Sequence, residues 1–490
     1  MLTMSNPRSK ALWVGIAGVL FGILAGVMVG AQPLYLGLGL GAICALIYFF
    51  ADFERAVLGL LILRSALDNF SLQQIPAAYA VGLDTLTLLY VTFLLLTSQT
   101  VKIDKFWWVF ASWIMLQGLW LVLSAIGGLG LDASYLPLSL REWIRLFSWL
   151  LVYLLVMQLE GRIKPEKLIS ILLLSLIIPV AGAVVQIVLP PSWWPSIIAN
   201  NFEGRVYSTL GHPNTFASYL SLFIGLVWWK FRWAKRRWPW LILLSLLAIV
   251  YVSTRSLTAL FTIAILILIL NANRLNLVGI MGGFITFFLI VAMFASTEAG
   301  QKRLNGLSQT PLLNPNIDVS RAVLSSIRDS NSFNWRLSHW NYLIKAWQNN
   351  PILGYGIATG PYLSPLRNVN GLGYTPHNDY IRFLVEQGVV GFMGFIAFLV
   401  AQFIYLFSLM KNAAKGSPER NLCLILIAIW LSFLINMSTN NALDGTTFFF
   451  YWWTVFAVAG WNIRKTSRSD RYLQDMEAMQ KMSVRRSYRK

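Results

Sequence analysis

Charged residues are scarce in this sequence. Only 12% of its 490 residues are charged and 57% are hydrophobic, whereas about a quarter of the residues in a soluble domain are charged. This shortage excludes an ordinary water-soluble protein. Continuous apolar runs recur from Ala11 to Trp461, and a helix needs about 20 such residues to cross a bilayer. The sequence therefore predicts an all-α, polytopic helical membrane protein.

Cysteines and clustered acidic residues are also scarce. The two cysteines, Cys44 and Cys423, lie in apolar runs without the spacing of metal ligands, which argues against a disulfide framework and against a zinc site. No glycine-rich loop of the nucleotide-binding type is present, which argues against an ATP-driven pump. We therefore expect neither a metal ion nor another cofactor.

Basic residues outnumber acidic ones, and the formal net charge is +19. In a soluble protein this charge would suggest a nucleic-acid partner. Here the positions of the charges indicate topology instead, because Lys and Arg favour cytoplasmic loops and about two-thirds of them lie on one side when both termini are cytoplasmic. We therefore expect a multi-pass protein of a bacterial inner membrane that contacts membrane lipids and no nucleic acid.

The apolar runs predict about 12–14 transmembrane helices. They lie at 11–29, 33–50, 56–68 (short), 79–98, 106–127, 142–157, 167–189, 214–229, 238–252, 256–271, 275–295, 389–409, 421–439 and 445–462. The chain accordingly divides into four segments with different roles. They are transmembrane helices with short loops (1–295), a large extracytoplasmic loop domain (296–388), C-terminal transmembrane helices (389–462) and a basic cytoplasmic tail (463–490).

The histidines point to a site outside the cytoplasm. All three fall in segments predicted to be extracytoplasmic: His212, His339 and His377. Histidine is the usual general base near neutral pH. We expect a helix to begin with Thr375 as its N-cap and Pro376 as its first residue, so that the helix dipole keeps His377 neutral. The alternative is a histidine that only hydrogen-bonds within the loop domain.

Four arginines are predicted to lie on the same side: Arg205, Arg255, Arg336 and Arg382. Arg205 comes just before a predicted span, and Arg255 lies between two apolar runs. A charge near membrane depth is costly unless it faces a cavity or a partner, and the planar guanidinium group suits phosphate oxygens. These arginines are therefore candidates for binding a diphosphate. The alternative is that they reach the membrane surface or pair with Asp and Glu.

The order of these elements resembles a known family. The stretch PHNDYIRFLVEQGVVG at 376–391, in which His-Asn precedes Glu-x-Gly-x-x-Gly, is similar to the motif of the O-antigen ligase and O-antigen polymerase superfamily. Arg336 followed by PILGYG at 351–356 resembles that family's lead-in to the histidine. Arg255 and Arg205 resemble its two earlier arginine elements. The resemblance extends from the first of these arginines to the end of the histidine motif.

The resemblance implies a GT-C-like membrane glycosyltransferase with its active site facing the periplasm. Such an enzyme transfers a glycan from a polyprenyl (undecaprenyl) diphosphate carrier to an acceptor hydroxyl, such as that of the lipid A core, without a metal. It further implies that His377 is the catalytic base and that Arg205 and Arg255 bind the donor diphosphate. The residues expected to support them are Arg336, Asn378, Arg382, Glu386 and His212.

Three other functions remain open from the sequence. A polysaccharide or O-antigen polymerase would use the same donor but a second lipid-linked glycan as acceptor. A transporter of small anions such as bicarbonate would be expected to show internal repeats and broken helices near the membrane midplane, and the sequence shows no repeat. A structural protein would not require His377 and the arginines to lie on one side.

The predicted topology can be tested by cysteine labelling in intact cells. In a variant without Cys44 and Cys423, we expect a membrane-impermeant maleimide to label Ser330→Cys in the loop domain and not Ala234→Cys, which lies in a strongly basic loop and is therefore expected in the cytoplasm. Disrupted cells provide the control, because both positions should then react. Labelling at 234 but not at 330 in intact cells would reverse the topology.

Overall fold

The computed structural model describes most of the chain between residues 33 and 461. The described residues are 33–71, 73–127, 129, 131, 133–195, 198–199, 204–270, 332–363 and 373–461, with a few isolated positions between 15 and 19 and between 281 and 305. The predicted spans at 11–29 and 275–295 lie largely outside these residues. The basic tail at 463–490 lies outside them entirely.

The fold is helical, as the sequence predicts. Its helices are α1 (Pro33–Ala51), α2 (Phe53–Leu63), α3 (Ile75–Leu96), α4 (Lys105–Ala125), α5 (Leu136–Met157), α6 (Pro165–Leu172), α7 (Ile177–Val188), α8 (Pro213–Trp233), α9 (Trp238–Ser253), α10 (Leu257–Leu270), α11 (Ser332–Asn349), α12 (Asp379–Asn412), α13 (Pro418–Met437) and α14 (446–461). Short 3₁₀ turns and a single turn at Gly360–Leu363 connect some of them. No β-strand occurs in the described ranges.

Within the described ranges, five helical segments are long and apolar enough to cross a membrane. They are Ile75–Leu96, Lys105–Ala125, Pro165–Val188, Asp379–Asn412 and Pro418–Met437. Other predicted spans form helices that are shorter or more highly charged than these five segments. Helix α9 is apolar but has only 16 residues, and α5 carries Arg141, Glu142 and Arg145 in its first half. A multi-pass, all-α membrane protein is therefore confirmed.

Helix starts follow local capping chemistry. Asp104 accepts a hydrogen bond from the backbone N–H of Trp107 at 2.7 Å and caps α4. Ser417 caps α13 in the same way, and Pro418 is the first helical residue there. Proline suits this position because the first turn of a helix does not need its N–H group. These side chains fix where the helices begin.

The core lies where α13 meets α8, α10 and α12, and where α4 packs on α5 and α12. Aromatic side chains fill much of it. Trp453 and Phe456 of α14 are almost completely buried, and Phe106 and Phe110 of α4 pack against them. Because aromatic side chains bury large apolar areas, this packing holds the helices that carry the site in fixed positions.

Helix α12 is interrupted at Gly388, where φ is 62° and ψ is −167°. The loop at 351–356 docks into this break: the N–H of Gly356 donates to the carbonyl of Glu386 at 2.7 Å, and the N–H of Val389 donates to the carbonyl of Pro351 at 2.9 Å. The Glu-x-Gly-x-x-Gly part of the sequence motif therefore joins the loop domain to the membrane helix. The break also falls at the predicted boundary between segments 296–388 and 389–462.

Replacing Gly388 by alanine should destabilise the protein strongly. A Cβ there would lie only 2.2 Å from the carbonyl oxygen of Ile352, in addition to the cost of a positive φ. Gly416 is the matched control, since its φ is +77° but no atom lies within 4 Å of the added Cβ. We expect a loss of about 1 kcal/mol for Gly416→Ala and about 3 kcal/mol or more for Gly388→Ala, measured by thermal unfolding in one detergent. Equal losses of stability in the two variants would contradict the docking of the loop at 351–356 against Gly388.

Candidate functional site

Arg205 and Arg255 lie side by side, although 50 positions of sequence separate them. The Nε of Arg205 donates to the carbonyl of Thr254 at 3.0 Å, and the Arg205 side chain is buried. The Nη1 of Arg255 lies 3.5 Å from where a Cβ on Gly204 would stand. The segments around 205 and 255 thus contact each other, with the Arg205 side chain against Thr254 and the Arg255 side chain against Gly204.

The Arg255 side chain is available for a ligand. Its backbone has a positive φ of 47°, which a non-glycine residue adopts only when the surrounding structure holds it there. Among the residues that the structure describes, its guanidinium group has no hydrogen-bond or ion-pair partner. Arg205 is held in place by hydrogen bonds to the carbonyl of Thr254 and to the side chain of Asn214. Such a pair of cations suits an anionic ligand.

A chain of side-chain amides runs from these arginines to His377. The Nη2 of Arg205 donates to Asn214 Oδ1 at 2.9 Å, and Asn214 Nδ2 donates to Asn440 Oδ1 at 2.7 Å. The next residue, Asn441, accepts from the backbone N–H of His377 at 2.6 Å through its Oδ1. The loop between α13 and α14 therefore connects the arginine pair with the histidine.

His377 lies just before α12 and not inside it. The N-cap is Asn378, whose side chain accepts from a backbone N–H of the first turn, and the helix begins at Asp379. The prediction of Thr375 as N-cap and Pro376 as first helical residue is therefore wrong. The physical reason is the φ of His377, which is 52° and is incompatible with a right-handed helix. Asn378, expected as a supporting site residue, acts here as a helix cap.

The environment of His377 keeps its imidazole neutral. Its pKa is lowered from 6.5 to about 4 by burial, by the nearby charge of Arg336 and by repulsion from His212 and His339 when these are protonated. The Trp335 ring packs edge-on against it, with the ring centroids 5.4 Å apart. A neutral imidazole can accept a proton. Burial and cationic neighbours, and not a first-turn position, favour this neutral state.

Asn441 also orients the imidazole. Because its Oδ1 accepts from the His377 backbone, its Nδ2 faces His377 Nδ1, at 3.4 Å. The same Nδ2 donates to the hydroxyl of Thr375. An amide N–H group that faces Nδ1 favours the tautomer with hydrogen on Nε2 and the lone pair on Nδ1. A contact of 3.4 Å is weak, so another donor can replace Asn441 at Nδ1.

The other two histidines have different surroundings. His212 is the N-cap of α8, and its Nδ1 accepts from the backbone N–H of Asn214 at 3.1 Å. His339 of α11 is fully buried, and neither ring nitrogen has a hydrogen-bond partner among the described residues. Burial lowers the pKa of His339 to about 4. His339 therefore adds no charge at neutral pH, and His212 supports the site through its helix cap.

Arg382 and Glu386 belong to a network of ion pairs. Arg382 donates to Asp444 at 2.9 Å and to Glu142 at 2.8 Å. Arg145 contacts the same two carboxylates. Glu386 accepts from the N–H groups of Ala358 and Gly360 and lies 3.4 Å from Arg382. Carboxylates already balance the charge of Arg382, which distinguishes it from Arg255.

Asn440, Asn441 and Trp335 were not predicted from the sequence. Each forms contacts that become visible only when distant segments meet in the fold. One signal in the sequence could have indicated the asparagines, because the segment NMSTNN at 436–441 is a polar interruption between two apolar runs. Polar groups at membrane depth need partners or face a cavity. This rule identified the arginines and would have identified the asparagines as well.

Comparison with known families supports the resemblance. Residues 240–396 match the family described as O-antigen ligase, and this range includes Arg255, Arg336 and His377. Arg205 and Asn214 lie before it. The resemblance to the O-antigen ligase superfamily is thereby confirmed over this segment. No curated protein matches the chain.

Replacing Asn441 by aspartate should raise the pKa of His377 from about 4. A carboxylate oxygen facing Nδ1 would stabilise the imidazolium, and an opposite charge this close shifts a pKa by about 1–3 pH units. The measurement is ¹⁵N-histidine NMR of the protein in nanodiscs as a function of pH. Asn440→Asp is the matched control, since the same charge would face Asn214 and should have a smaller effect. An equal rise in both variants would show that Asn441 does not contact the ring.

Proposed function

Because the chain carries an O-antigen ligase domain at residues 240–396, we propose that it is a membrane glycosyltransferase that transfers a glycan from a polyprenyl diphosphate carrier to an acceptor hydroxyl. The carrier is undecaprenyl diphosphate, and the acceptor is the core oligosaccharide of lipid A. The site faces the periplasm of a bacterial inner membrane, with both termini in the cytoplasm. The segments 296–388 and 389–462 supply the histidine and the helices that hold it.

One observation carries this proposal: a pair of adjacent arginines is connected by side-chain amides to a neutral histidine. Arg205 and Arg255 supply two planar guanidinium groups, and Arg205 is oriented by hydrogen bonds to the carbonyl of Thr254 and to Asn214. A diphosphate has the oxygen geometry and charge that such groups bind best. His377 stands at the other end of the amide chain with its lone pair directed towards a weak contact. The two requirements of glycan transfer, a bound leaving group and a base, are thus met in one site.

The proposed reaction is a single displacement at the anomeric carbon of the donor sugar. The acceptor hydroxyl replaces Asn441 at Nδ1 of His377 and gives its proton to that nitrogen as its oxygen attacks the carbon. The bond between the carbon and the diphosphate oxygen breaks, and the electron pair leaves with polyprenyl diphosphate. Arg205 and Arg255 stabilise the negative charge that develops there. The imidazolium then releases its proton to water.

Donor binding should also strengthen the base. In the structure, burial and the charge of Arg336 keep the pKa of His377 at about 4, too low for an efficient base at neutral pH. A bound diphosphate would offset the cationic neighbours and raise the pKa of His377. A base becomes inactive below its pKa, so the transfer rate should fall as the pH decreases through the raised pKa of the donor complex.

The proposal is tested with purified protein in nanodiscs, a polyprenyl-diphosphate glycan and candidate acceptors, followed by sizing of the products. His377→Ala should reduce the transfer rate by about 10²–10⁴-fold, the usual contribution of a positioned base, without a matching loss of donor binding. Arg205→Lys and Arg255→Lys keep the charge but lose the bidentate geometry, so they should weaken donor binding and transfer together.

His212→Asn is the control, because asparagine can replace histidine as a helix N-cap and the variant should retain most of its activity. A single addition to the acceptor identifies a ligase, and a ladder of products identifies a polymerase. Near-normal transfer by His377→Ala would place the base elsewhere. Normal use of the donor by both lysine variants would remove the arginines from the donor site.

A further inference from the structure

A large cavity lies beside the site. Its volume is about 920 Å³, and it is enclosed mainly by α3 and α5. Thr375 and Asp444 line it and lie close to His377 in the fold: Thr375 shares Asn441 with His377, and Asp444 lies near enough to raise the pKa of His377. Arg205 and Arg255 do not line it. The cavity is therefore next to the histidine but separate from the arginine pair.

One part of the cavity is apolar and reaches the surface of a membrane helix. Ala77, Ala80 and Val81 of α3 face Ile144 of α5 across it. Only 28% of the apolar window of α3 is buried in the protein, and Ala77 and Val81 are exposed. A hydrocarbon chain can reach this part of the cavity from the bilayer.

The other part of the cavity is polar and nearly balanced in charge. Arg382 and Arg145 share the carboxylates of Glu142 and Asp444. Arg141 is exposed and forms no ion pair with any residue in the described ranges. An arriving diphosphate would compete with these carboxylates for the arginines, whereas hydroxyl groups can both donate to carboxylates and accept from guanidinium groups. The ion-paired groups of the polar part therefore suit a hydroxyl-rich ligand better than a phosphate, and Arg141 adds one further hydrogen-bond donor.

We infer that the cavity between α3 and α5 binds the acceptor as a glycolipid, with its sugar at the Glu142–Asp444 network and its hydrocarbon chain along α3. This inference rests on the proposed glycosyl transfer. It assigns the two lipid-linked substrates to different places: the donor diphosphate to the arginine pair and the acceptor to the cavity. The acceptor hydroxyl then approaches His377 past Thr375 and Asp444.

The inference is tested by binding, independently of transfer. The probes are a dodecyl disaccharide, an uncharged glycolipid, and dodecyl phosphate, which has the same chain and an anionic head. We expect the full-length protein in nanodiscs to bind the glycolipid more tightly than the phosphate. Ala77→Trp, which fills the cavity, should weaken glycolipid binding by about tenfold or more, a free-energy change of about 1.4 kcal/mol. Ala78→Trp is the matched control, because Ala78 is also exposed on α3 but does not line the cavity.

Arg141→Gln provides a second variant if the tryptophan disturbs folding. It should weaken glycolipid binding several-fold and leave the binding of polyprenyl diphosphate unchanged. Equal glycolipid binding by Ala77→Trp and Ala78→Trp would overturn the inference. So would tighter binding of dodecyl phosphate, or a loss of polyprenyl-diphosphate binding in Ala77→Trp, because either result would assign the cavity to the donor. Glycolipid binding without transfer to any acceptor would contradict the proposed reaction but would still support the proposed binding site.

Discussion

The hydrogen bonds of three side-chain amides determine how the site is assembled. Asn440 is buried, where an amide without hydrogen-bond partners would be costly, and Asn214 in the first turn of α8 and Asn441 beside Asn440 are half-buried. Their partners come from distant segments: Arg205 precedes α8, and His377 precedes α12. The loop between α13 and α14 can satisfy its amides only when both segments are in place. The hydrogen bonds that satisfy these amides therefore also fix the positions of Arg205, proposed to bind the donor, and of His377, the proposed base.

Charge distinguishes two kinds of arginine in this fold. Arg382 and Arg145 share carboxylates and are part of the structure around α5 and α12. Arg255 has no such partner among the described residues, and its backbone is held in a left-handed conformation. A paired arginine stabilises its neighbours, whereas an unpaired one keeps its binding capacity for a ligand. The sequence shows the same residue type at all these positions, so this distinction comes only from three-dimensional contacts.

The fold class and several site residues could be predicted from the sequence because they depend on local patterns. Apolar runs predicted most of the helices. The start of α12 was misplaced by three residues, because φ of His377 depends on contacts with Asn441 that the local sequence does not encode. The contacts of Asn214 with Asn440, of Asn441 with His377 and of Arg382 with Asp444 join residues more than 60 positions apart, which no local pattern specifies.

The conformation of His377 places the proposed base where three segments of the chain meet. Because its φ is positive, the chain turns before α12, and the ring contacts Trp335 of α11 and Asn441 of the α13–α14 loop. A histidine inside the first turn would instead be oriented by its own helix. The observed arrangement makes the pKa of His377 depend on Arg336 and His212, which belong to other segments. A ligand that binds between these segments can therefore change the strength of the base without moving the helix that follows it.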